Sequence, residues 1–233
     1  MILIIPVLSL MESGRLDIRR NERYAERFMR WHATAVPLVA GLYGAGRQLG
    51  ARDRRALMGI WSAAGADRSV VVCSWDLPEV GRLLAGGWDV LYAPPAPVTG
   101  AALLSSLGAD VGAVRLYGRP GGFTVEQGQP LPRARGYKLA KCSTDLLATV
   151  RRGVTPECEL WHATARDPAA SRAAGADGVV AACFAALPVP APRNVEEISA
   201  TARRLLVGLD VLPDREARIA ALQRQLGSRL AGG

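Results

Sequence analysis

Short apolar runs alternate along the chain with longer stretches in which apolar residues recur at helical spacing. Eight runs can be recognised, at residues 2–8, 36–42, 69–74, 89–93, 112–117, 136–140, 158–162 and 178–183. Continuous apolar runs of this length are typical of parallel strands that are buried on both faces and joined by helices. The pattern therefore predicts a β/α protein with eight strands.

The stretches between and after these runs predict helices. Their approximate positions are 18–34, 50–66, 76–87, 98–108, 143–153, 165–174, 192–209 and 213–230. Asp76 with Pro78 suits a helix start, whereas Gly108 and Gly175 suit helix ends. The connection 120–135 is rich in glycine and proline, so we expect at most a short or irregular helix there.

Eight β/α units predict a (β/α)8 TIM barrel with a short C-terminal helical extension. We expect one domain, residues 1–233, with the barrel in 1–190 and the C-terminal helices in 191–233, because no repeat, linker or low-complexity block divides the chain. A doubly wound open sheet is the alternative α/β architecture. It is less favoured, because no strand is followed by the glycine-rich fingerprint of dinucleotide-binding folds.

The chain is basic, with a formal net charge of +8. Such a charge favours an anionic partner, whether a carboxylate or phosphate metabolite, a nucleic acid or a membrane surface. The arginines are dispersed and no nucleic-acid-binding motif is present, so we expect no nucleic-acid partner. The apolar run at residues 1–10 lacks a positive flank and is too short to span a bilayer, so we expect a strand and no membrane partner.

The cysteines and histidines give no indication of a metal site. The four cysteines are widely spaced without a Cys-x-x-Cys pair, which is typical of small buried residues in a reducing cytoplasm. Neither His32 nor His162 has a second histidine or a carboxylate at ligand spacing. We therefore expect a cytoplasmic protein without a bound metal.

Only two of the 29 cationic residues are lysines, Lys138 and Lys141, and both lie in the short apolar segment 135–143. Arginine keeps its proton at working pH, whereas a desolvated lysine can lose it and attack a carbonyl carbon. The pair therefore suggests an enzyme that forms a Schiff base. The alternative is that an arginine-rich composition has replaced nearly every surface lysine and left these two by chance.

Residues that follow the strands of a TIM barrel meet at one mouth, where active sites form. Six segments at or near the strand ends carry motifs that can be compared with those of known families. In chain order they are 5–6 together with 13–17, then 41–49, 92–95, 116–120 and 136–140, and finally 175–179 together with Pro188. In their order and spacing, these segments resemble the dihydrodipicolinate synthase and N-acetylneuraminate lyase family of class I, Schiff-base aldolases and lyases. The chain looks like a shortened and diverged member of that family.

By that resemblance, Lys138 is the Schiff-base nucleophile, and Tyr117 moves protons to and from the adduct. Lys141 is the alternative nucleophile, but matching it to the family pattern needs a three-residue deletion. Alternation along a strand places the two lysines on opposite faces, so only one can point into the barrel. For Tyr117 the alternative is a structural role, with its ring in the barrel and its hydroxyl bonded to backbone.

The candidate substrate-binding loop departs from the family pattern. The resemblance implies a loop after strand two that binds a ketoacid carboxylate through paired threonine hydroxyls and backbone amides. Leu42 and Tyr43 stand in place of those threonines. The backbone amides of Gly41, Gly44 and Gly46 and the hydroxyl of Tyr43 are the remaining candidate donors to an anion.

Further positions bear on the substrate and on the mechanism. The arginine that follows the family's catalytic tyrosine is Gly122 here, and Arg119 is close enough in sequence to replace it. Ala96 and Pro97 replace the aromatic pair of the synthase proton relay, so we do not expect the usual synthase mechanism. His162, at a predicted strand end, either hydrogen-bonds a substrate or is a buried, satisfied imidazole.

These features predict a diverged class I aldolase or lyase that makes or breaks a carbon–carbon bond in an anionic carbonyl substrate, in specialised biosynthesis. Imine chemistry calls for no metal or organic cofactor. The alternative is a catalytically silent barrel that serves as a binding or accessory protein. Association into a homo-oligomer stays open, because the chain is short in the C-terminal helices that often support tetramers in the family.

Overall fold

The computed structural model describes residues 1–65, 69–94, 98, 100–118, 131, 133–164, 166–187 and 194–231. The sequence-based expectations for Arg119, Gly122, Pro188 and residues 96–97 concern positions outside this set, as does most of the connection 120–135. Within the described residues, ten β-strands and eight α-helices follow one another along the chain.

Eight of these strands are parallel and form a closed barrel. They are β1 (Ile2–Pro6), β4 (Val36–Val39), β5 (Val71–Ser74), β6 (Asp89–Tyr92), β7 (Val114–Gly118), β8 (Gly136–Ala140), β9 (Glu159–Ala163) and β10 (Gly178–Val180). The other two, β2 (Met11–Glu12) and β3 (Arg15–Leu16), pair as a short antiparallel hairpin after β1. That hairpin lies in a segment where the apolar pattern indicated no strand.

Closure of the barrel decides between the two architectures that the sequence left open. Ile4 of β1 is the register partner of Val180 on one side and of Val36 on the other, so the first strand joins the last strand to the second. An open sheet would leave two edge strands unpaired. The predicted (β/α)8 class is therefore confirmed, and the doubly wound alternative is wrong.

The helices lie close to the predicted segments. They are α1 (Ile18–Trp31), α2 (Ala51–Ala64), α3 (Leu77–Ala85), α4 (Gly100–Leu107), α5 (Thr144–Gly153), α6 (Pro168–Ala173), α7 (Val195–Asp210) and α8 (Arg215–Ala231). The start of α3 is confirmed, because the Asp76 carboxylate accepts a hydrogen bond from the amide of Glu79 at 3.1 Å. Ser143 caps α5 in the same way, 3.2 Å from the amide of Leu146. Such caps satisfy amides that lack partners in the first helical turn.

Side chains alternate between the barrel interior and the layer beneath the helices. The buried interior cluster consists of Ile4, Leu38, Val71, Cys73, Leu91, Ala93, Trp161 and Val180. The residues between them along the strands pack against the helices, as Tyr137 and Leu139 do on either side of Lys138. This period of two is the geometric property of a strand that decides which residues can reach the mouth.

The lower end of the barrel interior is closed by a buried arginine. Arg115 of β7 ion-pairs with Asp89 and, at 2.9 Å, with Glu159. Its guanidinium also lies over the Trp161 ring, 4.4 Å from the centroid. The indole nitrogen of Trp161 in turn donates to Glu159 at 3.1 Å. Because each charge is paired, the cluster forms a polar floor below the candidate site without leaving a buried charge uncompensated.

Two strands end earlier than the apolar runs predicted. The run 36–42 is extended only through Val39, because Ala40 adopts a left-handed backbone with φ 55° and turns the chain into a loop. The run 178–183 ends as a strand at Val180 and continues as a short 3₁₀ helix, Ala182–Phe184. An apolar run indicates which residues are buried, and burial continues past the last residue of each strand. The runs therefore predicted strands that are too long.

Two further features concern the apolarity of the helices and the environment of the cysteines. The described helices include none that combines the length and the apolarity needed to cross a bilayer. The four cysteines are free thiols, and Cys73, Cys158 and Cys183 are buried, whereas Cys142 is partly exposed. The thiols thus occupy the small, mostly buried positions that the sequence predicted.

Candidate active site

A cavity of about 320 Å³ lies at the C-terminal ends of the barrel strands. Its lower wall contains Tyr117 of β7 and Lys138 of β8, and its rim contains residues of the loop after β4 and of α7 and α8. This volume is at the small end of the range for ligand sites, roughly 300–1,000 Å³. The cavity therefore suits a small metabolite, and its location is where TIM-barrel enzymes carry their chemistry.

Lys138 reaches this cavity from inside the barrel. Its Nζ atom lies 4.5 Å from the centroid of the Tyr117 ring. Burial lowers the pKa of Lys138 to about 8, and the nearby Cys73 thiol opposes that effect. The amine is therefore neutral in a much larger fraction of molecules than a solvated lysine would be at neutral pH.

Tyr117 is the register partner of Lys138 on the neighbouring strand. On the other side of Lys138, the register partner is Trp161. The lysine side chain thus stands between two aromatic residues that extend into the barrel interior. Aromatic faces exclude water while still tolerating a nearby cation.

Lys141 lies in a different environment from Lys138. It is exposed, follows β8 directly, and has a left-handed backbone with φ 55°. It nevertheless lines the outer part of the same cavity. Positive φ is uncommon for a residue with a side chain, and such positions often occur at functional sites. Of the two lysines, Lys138 is the desolvated one, whereas Lys141 lies at the exposed rim of the cavity.

The loop after β4 contributes Gly41, Leu42 and Tyr43 to the cavity wall. Gly44 and Gly46 do not have the predicted role of anion donors, because their amides both donate to the carbonyl of Gly41, at 3.0 and 3.1 Å. Among the described residues, no hydrogen bond uses the amides of Leu42 and Tyr43. The amides that remain available to a ligand are therefore those of Leu42 and Tyr43, the two residues that replace the threonines, and not those of Gly44 and Gly46.

Gly44 has a steric function in this loop. A Cβ atom at this position would lie 2.8 Å from the carbonyl oxygen of Val7. The Gly44 carbonyl also accepts a hydrogen bond from the Ser9 hydroxyl. These contacts give Gly44 a structural role beneath the cavity wall.

Tyr43 lines the upper part of the cavity. Burial raises the pKa of Tyr43, and the positive charges of Arg218 and Arg215 oppose that rise. Both arginines line the same cavity as Tyr43. Tyr43 thus remains a neutral hydrogen-bond donor at physiological pH beside two cations.

His162 is turned away from the cavity. Its Nδ1 atom is 2.8 Å from the Ser171 hydroxyl, and its Nε2 atom is 3.2 Å from the carbonyl of Cys142. Burial lowers the pKa of His162. This is the geometry of the buried, satisfied imidazole that the sequence left open as the alternative to a substrate contact. The physical reason is alternation, because Trp161 and Ala163 take the inward positions on β9.

The C-terminal helices α7 and α8 contribute residues to the cavity wall. These residues were not predicted from the sequence, because only residues that follow the strands were considered. Asp210 of α7 and Arg215 and Arg218 of α8 line the cavity together with Arg166, which follows β9. Arg166 and Asp210 form an ion pair at 3.2 Å. Among the described lining residues, Asp210 is the one carboxylate beside five cationic side chains. The site is therefore electropositive, and no sequence signal tied α7 and α8 to the barrel mouth.

The acidic side chains near the barrel are engaged by arginines. Within the part of the chain that the structure describes, no three His, Cys, Asp or Glu residues are grouped so that they could hold a metal ion. The carboxylates near the barrel are instead paired with arginines, as in the Arg115 cluster. What the candidate site offers is thus a desolvated amine, a phenol ring and a surplus of positive charge.

No protein-family model matches the sequence, and no curated protein matches it. Solved structures do match. Dihydrodipicolinate synthase from Cyanidioschyzon merolae with lysine bound has a TM-score of 0.74 and 16% identity, covering 99% of this chain and 98% of that chain. A prophage protein of the dihydrodipicolinic acid synthase family from E. coli K12, in complex with pyruvate, has a TM-score of 0.77 and 16% identity, covering 97% and 87%.

An aldolase from a third organism has the same architecture. The 2-keto 3-deoxygluconate aldolase from Picrophilus torridus has a TM-score of 0.74 and 10% identity, covering 97% of this chain and 93% of that chain. At such identities the likeness is one of fold. The chain is thus a TIM barrel with the fold of these synthases and aldolases, as the order of its strand-end motifs predicted.

Proposed function

We propose that this protein is a Schiff-base-forming aldolase or lyase in which Lys138 is the nucleophile. The observation that supports this most strongly is the desolvated Lys138 amine, held against the Tyr117 ring at the C-terminal mouth of the barrel. With a pKa of about 8, roughly a tenth of the amine is neutral at pH 7. An ordinary lysine would be neutral in fewer than about one molecule in a thousand.

The reaction begins when the neutral Nζ atom attacks the carbonyl carbon of the substrate. The carbinolamine loses water and becomes a protonated imine, whose nitrogen accepts the electron pair released when a neighbouring C–C or C–H bond breaks. The resulting enamine is the nucleophile in the synthetic direction. The imine itself is the electron sink, so the chemistry calls for neither a metal nor an organic cofactor.

Tyr117 is the proposed proton carrier. The steps that expel water from the carbinolamine and protonate the enamine each need a group close to the adduct. The Tyr117 ring lies beside Nζ and on the neighbouring strand, which supports this role. Lys141 is the charged residue at the rim, and we assign it to substrate contact and not to imine formation.

The proposed substrate is a small anionic carbonyl compound. The cavity is electropositive, and the amides of Leu42 and Tyr43 have no acceptor among the described residues. Backbone amides and a tyrosine hydroxyl can hold a carboxylate where the two threonines of the family are missing. The carbonyl compound itself is left to experiment, and specialised biosynthesis in the cytoplasm stays a prediction.

Borohydride trapping tests the proposal. The protein is incubated with a panel of ketoacids and aldehydes, reduced with borohydride and mapped by mass spectrometry. We expect a stable adduct on Lys138. Lys138→Met should abolish it, and the matched variant Lys141→Arg should retain it. An adduct that moves to Lys141, or one that persists in Lys138→Met, would contradict the assignment.

A silent barrel is the second candidate function. The loss of the threonine pair and the use of the Gly44 and Gly46 amides within the loop favour it. It predicts that no carbonyl compound in the panel is trapped, although small anions still bind in the cavity. The same borohydride experiment therefore separates the two candidates.

A further inference from the structure

The wall that α8 contributes to the cavity has two arginines on one helical face. Arg215, Arg218 and Leu222 line the cavity at positions i, i+3 and i+7, which share a face of an α-helix. Leu222 is buried in the core and fixes this face against the barrel. The guanidinium groups are therefore held over the mouth by a packed helix rather than by a loop.

The charges on this wall are not neutralised within the described residues. Arg166 is paired with Asp210 at 3.2 Å, whereas Arg215 has only Glu216, at 3.9 Å and largely in solvent. Arg218 has no ion pair there, and its Nε atom is buried without a hydrogen-bond acceptor. A buried guanidinium N–H without an acceptor is unfavourable, and an anionic ligand would supply one.

A third donor lies beside the two arginines. Tyr43 lines the cavity together with Arg215 and Arg218. Burial raises the pKa of Tyr43, so its hydroxyl is protonated at physiological pH. Two guanidinium groups and a phenol hydroxyl make a donor set for the oxygens of a carboxylate or a phosphate. The set borders the same cavity as Lys138, so one ligand can touch both.

We infer that Arg215, Arg218 and Tyr43 form the subsite that holds the anionic group of the substrate, a carboxylate or a phosphate, while its carbonyl reaches Lys138. This inference rests on the proposed function and deepens it, because it assigns anion recognition to α8 instead of to the barrel loops alone. It also gives the C-terminal helices a specificity-determining role. The substrate class is then a carbonyl compound with one charged end.

Matched pairs of carbonyl compounds test the subsite. Borohydride trapping is measured as a function of the concentration of each compound. Pyruvate is compared with hydroxyacetone, and dihydroxyacetone phosphate is compared with dihydroxyacetone. In the unmodified protein, the anionic member of at least one pair should be trapped at one tenth, or less, of the concentration that its neutral partner needs. The pair with the larger advantage identifies carboxylate or phosphate as the preferred group.

Three variants distinguish direct contact from overall charge. Arg218→Gln should reduce the advantage of the anionic member by tenfold or more, and the exposed Arg215→Gln should reduce it in the same direction. Arg224→Gln is the control, because Arg224 is exposed on α8, does not line the cavity and carries the same charge. Circular dichroism of Arg218→Gln checks that the helix is intact.

Measurements of anion binding test the proposed subsite independently of imine formation. Calorimetry with inorganic phosphate and with propanoate measures anion binding without a carbonyl group. Tenfold weaker binding in Arg218→Gln than in Arg224→Gln supports the subsite even if no imine is trapped, and the proposed function alone then fails. Equal effects of the two variants, or no anion binding by the unmodified protein, overturn the subsite even if pyruvate is trapped on Lys138.

Discussion

The Nζ atom of Lys138 lies 4.5 Å from the centroid of the Tyr117 ring, and the two residues are register partners on β8 and β7. Two effects act on the amine at this distance. The aromatic face favours the ammonium form, whereas removal from water favours the neutral form. Burial is the larger effect, since the pKa of Lys138 falls to about 8. The pair thus prepares an amine that can react while keeping a phenol beside it.

The first prediction concerns the reactivity of Lys138 at different pH values. Competitive labelling with acetic anhydride, quantified by mass spectrometry, reports the neutral fraction of each lysine. Because the pKa is about 8, labelling of Lys138 should rise about tenfold per pH unit below pH 8 and level off above it. A rate that still rises tenfold between pH 9 and pH 10 would contradict the lowered pKa. Unfolded protein, labelled in urea, provides the control.

The second prediction concerns the free energy of unfolding. The folded pKa of Lys138 is below its ordinary value of 10.5, so the unfolded chain binds the proton more tightly and the buried charge destabilises the fold below pH 8. The cost is about 3 kcal/mol for a shift of this size. It is relieved as the pH rises from 8 to 10.5. Lys138→Met should therefore be more stable than the unmodified protein at pH 7, with the difference vanishing near pH 10.5.

Urea unfolding at several pH values checks this difference. Lys141→Met is the matched control, because Lys141 is exposed and its removal relieves no burial. If Lys138→Met were less stable than the unmodified protein at pH 7, packing of the lysine stem would outweigh its desolvation. Residues that serve catalysis often reduce stability in this way.

The third prediction separates proton transfer from imine formation. Tyr117→Phe removes a hydroxyl while keeping the ring beside Lys138. The imine should then form more slowly, but the amount trapped by borohydride after equilibration should stay within about tenfold of the unmodified protein. Turnover should fall by about 10²–10⁴, the usual contribution of a general acid–base group. Tyr137→Phe is the control on β8, because Tyr137 packs in the cluster beneath the helices and not in the barrel interior. Equal turnover losses in both variants would assign Tyr117 a structural role.

Strand alternation explains how much of the site the sequence could predict. The period of two along 136–140 correctly places Lys138 in the barrel interior, since Tyr137 and Leu139 pack beneath the helices. It does not extend to Lys141, which follows β8 with a left-handed backbone and lines the same cavity. The same rule, applied to 158–162, would have excluded His162 once Trp161 was known to face inward. The strand-end position alone was not sufficient, because adjacent residues at a strand end face opposite ways.

Residues from α7 and α8 lay beyond this kind of reasoning. Arg215 and Arg218 are far from any barrel strand in sequence, and helical periodicity predicts a buried face without saying what that face covers. The loop amides were also misassigned, because the hydrogen bonds of Gly44 and Gly46 to the carbonyl of Gly41 depend on the exact course of the turn. Local patterns predict elements, whereas the rim of the cavity depends on tertiary packing.

The fourth prediction concerns the glycines of the loop after β4. An added Cβ would lie 2.8 Å from the Val7 carbonyl oxygen at Gly44 and 1.7 Å from the Ala40 carbonyl oxygen at Gly46. Backbone cannot move aside as a flexible side chain can, so Gly44→Ala should lower the free energy of unfolding by about 1–3 kcal/mol. Gly46→Ala should cost more, because its clash is deeper. Gly59→Ala, at an open position in α2, should instead stabilise by about 0.5–1 kcal/mol.

Urea unfolding ranks the three variants, and anion binding by the folded fraction of Gly44→Ala shows what the glycine does. If the role of Gly44 is steric, the remaining folded protein should bind phosphate or propanoate as the unmodified protein does, because the Gly44 amide already donates to Gly41. A selective loss of anion binding without a loss of stability would return Gly44 to the substrate contacts. The order Gly46→Ala, Gly44→Ala, Gly59→Ala in rising stability, with anion binding unchanged, would show that the loop glycines have a steric role in the cavity wall.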